Sequence, residues 1–248
     1  MSSRRIYRRE SLSPRLTSFS VSVKESDLWI AVSTFRYEDN LPGQVEQYLW
    51  QIRRSLESYF AGHPEIAESL GPCLLGEEAP GILRRMASAA NKAGVGPMAA
   101  VAGAVAEAVG IMLLEVSPEV IVENGGDIFL KAEAPVTVGI YAGQSPLSGK
   151  LGLKVDPSAT PLGICTSSGT VGPSLSFGRT DAAVVTAAST PLADAAATAV
   201  GNMVASPDDF NRAVQFIRSL SGVSGLLIIC GDKMTVWGDL ELQPLIKA

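Results

Sequence analysis

The stretch "STPLADAAATAVGN", Ser189 to Asn202, sets one carboxylate and one hydroxyl into a run of small residues. Asp194 and Thr198 are four positions apart, so on a helix they stand one above the other on a single face. With Asn202 continuing the stripe and backbone carbonyls nearby, they make a hard-oxygen set of the kind Mg2+ accepts, water and phosphate filling the remaining positions. A plainer reading stands beside that one. Ser189 or Thr190 is a good N-cap, Pro191 suits a first turn, and an acid near the positive end of the helix dipole needs no ligand. Thr198 has no part in this second account.

Three further segments gather glycine and small polar residues. In "VENGGDIFL", Asn124, Gly125, Gly126 and Asp127 join two β-prone runs. As a hairpin turn they supply positive φ. As a binding loop they leave bare backbone, flanked by the acids Glu123 and Asp127, for a ligand to approach. "TSSGTVGPSLSFGRTDA" offers Thr166, Ser167, Ser168 and Gly169 to a phosphate or a polar ring edge, with Arg179 adding charge. A surface loop is the alternative, although long loops in compact domains tend to be functional. "GVGPMAAVAG" puts Gly96 and Met98 at the start of a helix, where free N–H groups seat anions, or where small residues let helices pack closely. It is neither a GxGxxG after a strand nor a Walker loop. Cys165, next to "TSSG", reads first as a small buried hydrophobe.

These segments must be held by elements the sequence also announces. "FSVSV" and "LWIAVS", separated by "KESD", read as a β-hairpin. After Pro42 the apolar positions Val45, Leu49, Ile52, Leu56 and Phe60 step by three and four, which predicts an amphipathic helix. A second helix is expected over Ile82–Lys92, ended by Gly94, and an apolar core helix over Met98–Leu113. Then "EVIVE", "DIFLK", "VTVGIYA", "LGLKV", "LGICTS" and "AAVVTAA" follow with gaps too short for crossover helices, so antiparallel pairing is favoured. Two helices come next, over Ser189–Asn202 and "PDDFNRAVQFIRSL", and "GLLIIC" with "KMTVWG" closes the chain as a hairpin across "GD". Strands grouped with strands and helices with helices predict an α+β layered fold, an antiparallel sheet packed with helices, in one domain over residues 1–248.

Bulk properties narrow the function. A net charge of −5 argues against nucleic acid as the main partner; the one basic cluster, Arg4 to Arg9, reads as a solvated strand or terminal arm. Cys73, Cys165 and Cys230 are odd in number with no CxxC spacing, which argues against a disulfide framework. The basic N-terminus lacks a following apolar h-region, and the apolar stretch ending at "GIMLLEV" contains glycines, Pro97 and Glu107, so it reads as a core helix and not a membrane span. The expected location is the cytoplasm, with no membrane partner; a homo-oligomer is compatible with the composition.

Taken together, "VGPMAAVAG", "VENGGDI", "TSSGTVG" and "ADAAATA" resemble, in order and spacing, the ApbE-like superfamily, named for FAD-dependent protein FMN transferases. The resemblance is specific for a sister group without assigned activity and runs from "RIYR" to "WGDLEL"; towards the transferases themselves it is partial. It implies an ApbE-like α+β domain that binds FAD or a related flavin or nucleotide with Mg2+, and a possible acceptor protein. By resemblance Asp194 and Thr198 become the metal ligands. Asn124, Gly125, Gly126 and Asp127 lie near the nucleotide, and Ser167, Ser168 and Gly169 line the flavin pocket. One departure bears on catalysis. The transferases carry a His-x-Ile-Asp-Pro segment after the TSG loop, and members of the sister group often carry a His after "TVG"; this chain has Pro173 there, and its one histidine is His63 in "AGHPE", at a helix end. Asp181 or Glu123 is the substitute base the sequence offers. The expectation is therefore a flavin- or nucleotide-binding protein of this fold. The alternatives are an FMN transferase and a non-catalytic protein that retains the fold.

Overall fold

The computed structural model describes residues 13–169 and 178–245. The basic cluster Arg4–Arg9 and Pro173 lie outside the described residues. The chain opens with the expected hairpin, β1 (Leu16–Val23) and β2 (Ser26–Ser33), paired with Val21 opposite Leu28. Helix α1 (Leu41–Gly62) buries Leu41, Val45, Leu49, Ile52 and Leu56, the stripe its spacing predicts. Short α2 (Pro64–Glu68) and then α3 (Gly81–Ala93) follow. Gly94, at φ 73°, ends α3 as a left-handed cap. A 3-10 turn over Pro97–Ala100 leads into α4 (Val101–Leu114).

Then come β3 (Val120–Asn124), β4 (Asp127–Lys131), β5 (Val136–Gly139), β6 (Leu151–Val155), β7 (Leu162–Ser167) and β8 (Ala182–Ala187). Helices α5 (Thr190–Met203) and α6 (Phe210–Ser219) precede β9 (Val223–Cys230), β10 (Lys233–Gly238) and β11 (Glu241–Pro244). Eight strands form one antiparallel sheet in the order β1-β2-β3-β4-β7-β8-β9-β10. The α+β, antiparallel expectation therefore holds. The strands of "VTVGIYA" and "LGLKV" leave that sheet, however, and join β11 in a separate sheet ordered β11-β6-β5.

Three layers result. On one face of the large sheet Leu28, Ile30, Val122, Phe129, Cys165 and Val185 pack with the helices. On the other, Ile121, Leu130, Ile164, Val184 and Leu227 pack with Leu153 and Val155 of the small sheet. The central strands are buried on both faces, which is why their sequences run apolar without alternation. The Pro97–Leu114 stretch is long and apolar enough to cross a membrane, but more than half of it is buried inside the protein. Its glycines explain its fit. Gly110 lies against the Phe129 ring, where a Cβ would come within 2.1 Å, so α4 settles directly on β4. Helix α5 does the same on β7: a Cβ at Gly163 would stand 2.5 Å from the Thr190 Cα.

Candidate functional site

At one end of the sheet, β3 turns into β4 through Gly125 and Gly126, at φ 72° and 107°. Both central residues at positive φ are what a two-residue hairpin loop needs, so the turn reading of this segment is satisfied. The Gly126 N–H donates to Glu123 Oε1 at 2.8 Å and fastens the turn. Strand alternation then sorts the acids. Asn124 and Asp127 are cross-strand partners on the helix side, in step with Val122 and Phe129. Glu123 points to the other face, between Trp29 and Ile128. On the next strand Cys165 comes up beside Asp127, since Ile128 pairs with Ile164.

Above this patch α4 and α5 meet by their N-terminal turns. Asp194 Oδ2 accepts from the Gly103 N–H at 2.8 Å, and Glu107 Oε2 accepts from the Thr190 N–H at 2.7 Å. Each helix thus supplies the carboxylate that satisfies a free amide at the start of the other. Contact is backbone to backbone: a Cβ on Gly103 would lie 2.7 Å from the Thr190 carbonyl oxygen and 2.8 Å from Asp194 Cβ. Asn124 Nδ2 donates to the Ala102 carbonyl at 3.1 Å, bracing the same turn of α4 from the sheet. The anion seat expected at the start of α4 is therefore occupied by the protein's own Asp194. The capping account of α5 is corrected as well. The Ser189 side chain makes no cap hydrogen bond, and Asp194 sits beyond the first turn, so the acid at the positive end of α5 is Glu107.

Burial sets the electrostatics. Asp127, 8% exposed, has its carboxyl pushed up to about 7, by burial first and then by the Glu123 charge; hydrogen bonds from Cys165 and the Thr166 N–H pull the other way. Asp194 is held well above the ordinary carboxylate range by burial and by Asp127, against the pull of the Gly103 and Ala102 amides. The Cys165 thiol, fully buried, is raised well above its usual value by burial and by both carboxylates. It stays protonated, its single S–H shared between the Asp127 carboxyl and the Thr190 carbonyl, 3.5 Å from Sγ. Among the described residues no lysine or arginine acts on either aspartate. The Thr190 hydroxyl is buried without a partner among the described residues.

The remaining candidates fall around this core. Thr198 is half-buried, one helical turn beyond Asp194. Thr166 and Ser167 end β7 beside the Asn124–Asp127 turn, where a Cβ on Gly126 would meet the Thr166 carbonyl oxygen at 3.8 Å. The Gly169 N–H donates to the Thr180 carbonyl at 2.9 Å, which closes the loop's neck and carries Ser168 with it. Gly96 lies against the backbone of Ser69, where a Cβ would come within 1.8 Å, so close packing accounts for this glycine. Met98, beside it in the 3-10 turn, is exposed. Asp181 stands at the entry to β8 with its Oδ2 accepting from the Gly231 N–H at 2.7 Å. His63 caps α1, stacked on Tyr59 and near Glu65 and Glu78. Asp127, Asp194, Asn124 and the end of β7 therefore come together, whereas Glu123 lies across the sheet and Asp181 is engaged at the β9–β10 turn. Among the described residues no three His, Cys, Asp or Glu side chains converge to cage a metal ion. A bound cation would thus draw on hydroxyl, backbone and ligand oxygens as well. Sequence reasoning gave Glu107 and Cys165 no role here. The signals were a lone acid in an apolar helix and a thiol adjoining a hydroxyl-rich loop.

This layered fold is ApbE-like. Over 90% of this chain and 94% of theirs, it matches the apo flavinyl transferase ApbE of Pseudomonas stutzeri, TM-score 0.59 at 15% identity. The ApbE protein of Thermotoga maritima matches with TM-score 0.62 at 12% identity, over 89% of this chain and 96% of that one. At these identities the likeness is one of fold. The chain belongs to the family described as AbpE bacteria, which matches residues 9–227, and to the UPF0280 proteins within the ApbE-like superfamily. The UPF0280 protein of Methanocella arvoryzae is 47% identical over 201 residues, 81% of each chain. That of Methanosarcina acetivorans is 45% identical over 188 residues, 75% of this chain and 74% of its own.

Proposed function

We propose that the protein binds a flavin or nucleotide pyrophosphate together with Mg2+ at the sheet end where the Asn124–Asp127 turn, the end of β7 and the starts of α4 and α5 converge. The observation that carries this reading is that Asp127 on β4 and Asp194 on α5 are both buried, that the Asp127 charge acts on Asp194, and that no basic side chain among the described residues acts on either. Two such carboxylates are costly to bury as anions unless a cation joins them. The donor set fits a hard divalent ion: a carboxylate oxygen of Asp194, the Thr198 hydroxyl, and phosphate or water oxygens. Bound there, Mg2+ would neutralise pyrophosphate charge and polarise a phosphoryl oxygen. Gly125 and Gly126 leave main chain bare of side chains for a phosphate to approach, the Ser167 and Ser168 hydroxyls would add polar contacts, and the exposed Met98 would meet the ligand from the turn that leads into α4.

The test is a melting-temperature panel of FAD, FMN and nucleotides with and without Mg2+, since a ligand of the folded state alone raises the midpoint by mass action. A Mg2+-dependent rise is expected with at least one flavin or nucleotide. Asp194→Ala should abolish it, but that change also uncaps α4. Thr198→Val is therefore the sharper variant: it should weaken the Mg2+-dependent part and leave the ligand-free melting temperature nearly unchanged. No shift across the panel would overturn the reading.

A second reading, FMN transfer to a protein, is favoured by the flavinyl transferase fold of the Pseudomonas stutzeri neighbour. In it an acceptor hydroxyl attacks the phosphorus of the FMN half, the pyrophosphate bond breaks, and AMP leaves with the bonding pair. The acceptor's proton goes to a base; the two carboxylates the sequence offers for it, Asp181 and Glu123, stand at the β9–β10 turn and on the opposite sheet face, so either would have to be reached through water or the acceptor. Incubation with FAD, Mg2+ and a threonine-bearing acceptor should then leave a fluorescent covalent adduct and release AMP. Asp181→Asn and Glu123→Gln tell the two bases apart.

A further inference from the structure

The four residues that lock α4 to α5 have a repeating arithmetic. Gly103 and Glu107 are four apart on α4, and Thr190 and Asp194 are four apart on α5. The first of each pair gives its N–H to the second of the other, at 2.8 Å from Gly103 to Asp194 and at 2.7 Å from Thr190 to Glu107. The two hydrogen bonds therefore run in opposite directions across one close crossing. Whatever fixes the first turn of α5 also fixes where Asp194 meets α4 and how far Thr198 stands along the same face. Ser189 contributes no side-chain cap, so Glu107 is the group that orients that turn.

We infer that Glu107 is a positioning residue for the cation and pyrophosphate site, acting through the Thr190 amide to hold Asp194 and Thr198 in register. The inference rests on the reading of those two residues as cation ligands. Glu107 itself touches neither of them through a hydrogen bond; its contact is the Thr190 N–H. The neighbours of that contact leave it little freedom. Gly163 of β7 lies against the Thr190 Cα, and the Cys165 thiol lies within hydrogen-bond reach of the Thr190 carbonyl, so the turn rests on the sheet while Glu107 holds its first amide. Groups that orient a ligand side chain typically change metal affinity by about 10–100-fold when removed.

The test uses the full chain, titrated with Mg2+ in the presence of FAD and followed by melting temperature and calorimetry. Hydrogen exchange at the Gly103 amide serves as a readout that needs no metal. Glu107→Gln keeps an acceptor oxygen at the same reach. It should hold the Mg2+ midpoint within about threefold of the parent and leave Gly103 protected. Glu107→Asp keeps the charge but falls one methylene short of Thr190. It should raise the Mg2+ midpoint about tenfold or more and speed exchange at Gly103. If Glu107→Asp lowers the melting temperature yet leaves both the Mg2+ midpoint and Gly103 exchange unchanged, Glu107 is a helix cap alone and the inference is overturned. If the parent protein shows no Mg2+ response, the reading of the site fails first. Gly103 exchange then still decides whether Glu107 holds Asp194 in place: unchanged exchange in Glu107→Asp overturns that as well.

Discussion

Replacing Asp127 with asparagine should make the protein more stable, and increasingly so as the pH rises. The carboxyl is raised from an ordinary value of 3.8 to about 7, chiefly by burial. Between those two values the folded chain keeps a proton that the unfolded chain has released. The sign follows directly: the stabilisation is fully present below the unfolded value and is lost as pH climbs through the folded one. Each pH step of one is worth about 1.4 kcal/mol, so the whole window amounts to about 4 kcal/mol. That is a ceiling, because relaxation and water entry soften the cost of burying charge. Asp194, raised by the same causes, adds to the slope with the same sign. Asparagine keeps the shape and an acceptor for the Thr166 amide but cannot ionise. Urea unfolding of parent and Asp127→Asn from pH 4.5 to 8 is the assay, read as the difference between the two. Exposed acids with lowered values, such as Asp156 and Asp209, slope the other way but occur in both proteins and cancel. The variant should gain about 2–3 kcal/mol on the parent between the ends of the range. Parallel pH profiles would refute the argument that Asp127 is buried as an uncompensated acid.

Two further outcomes are expected. Gly103→Ala must move a Cβ off the Thr190 carbonyl at 2.7 Å, a backbone atom with little freedom, so it should cost about 1–3 kcal/mol in thermal or urea unfolding; parental stability would contradict the close crossing. With a thiol reagent at neutral pH, Cys73 and Cys230 should label in the folded protein while Cys165 waits for unfolding, because only Cys165 is fully buried; early labelling of Cys165 would remove it from beneath α5.

Much of the fold was legible because its signals are local. The α1 stripe, the Gly94 stop and the two hairpins at the chain ends each rest on a period or a turn residue within a few positions. The Asp194–Thr198 pair was legible for the same reason: helical spacing alone places both on one face. What escaped depends on distance or on symmetry of burial. β11, "ELQP", is a short edge strand of mixed polarity that acquires its identity only by pairing with β6. The face of Glu123 could not be read from "EVIVE", because β3 is buried on both sides and its apolar run carries no alternation. The cap of α5 was sought at Ser189, next to the helix, whereas it comes from Glu107, 83 positions away.

That separation bears on when the site comes into being. The Gly103–Asp194 bond joins residues 91 apart and the Glu107–Thr190 bond joins residues 83 apart, whereas β1 with β2 and β3 with β4 need only neighbouring chain. Closing so long a loop costs entropy that local contacts do not repay, so such pairings come late. During synthesis α4 leaves the ribosome with its first amides unpaired and Glu107 unmatched, and both wait for α5 to arrive on β7. The acidic pair is assembled by the same step, since Asp127 and Asp194 meet only when that helix docks. The meeting of Asp127 with Asp194 is thus tied to the docking of α5, and a nascent or truncated chain that ends before α5 has the Asn124–Asp127 turn but lacks the second carboxylate and the partner of Glu107.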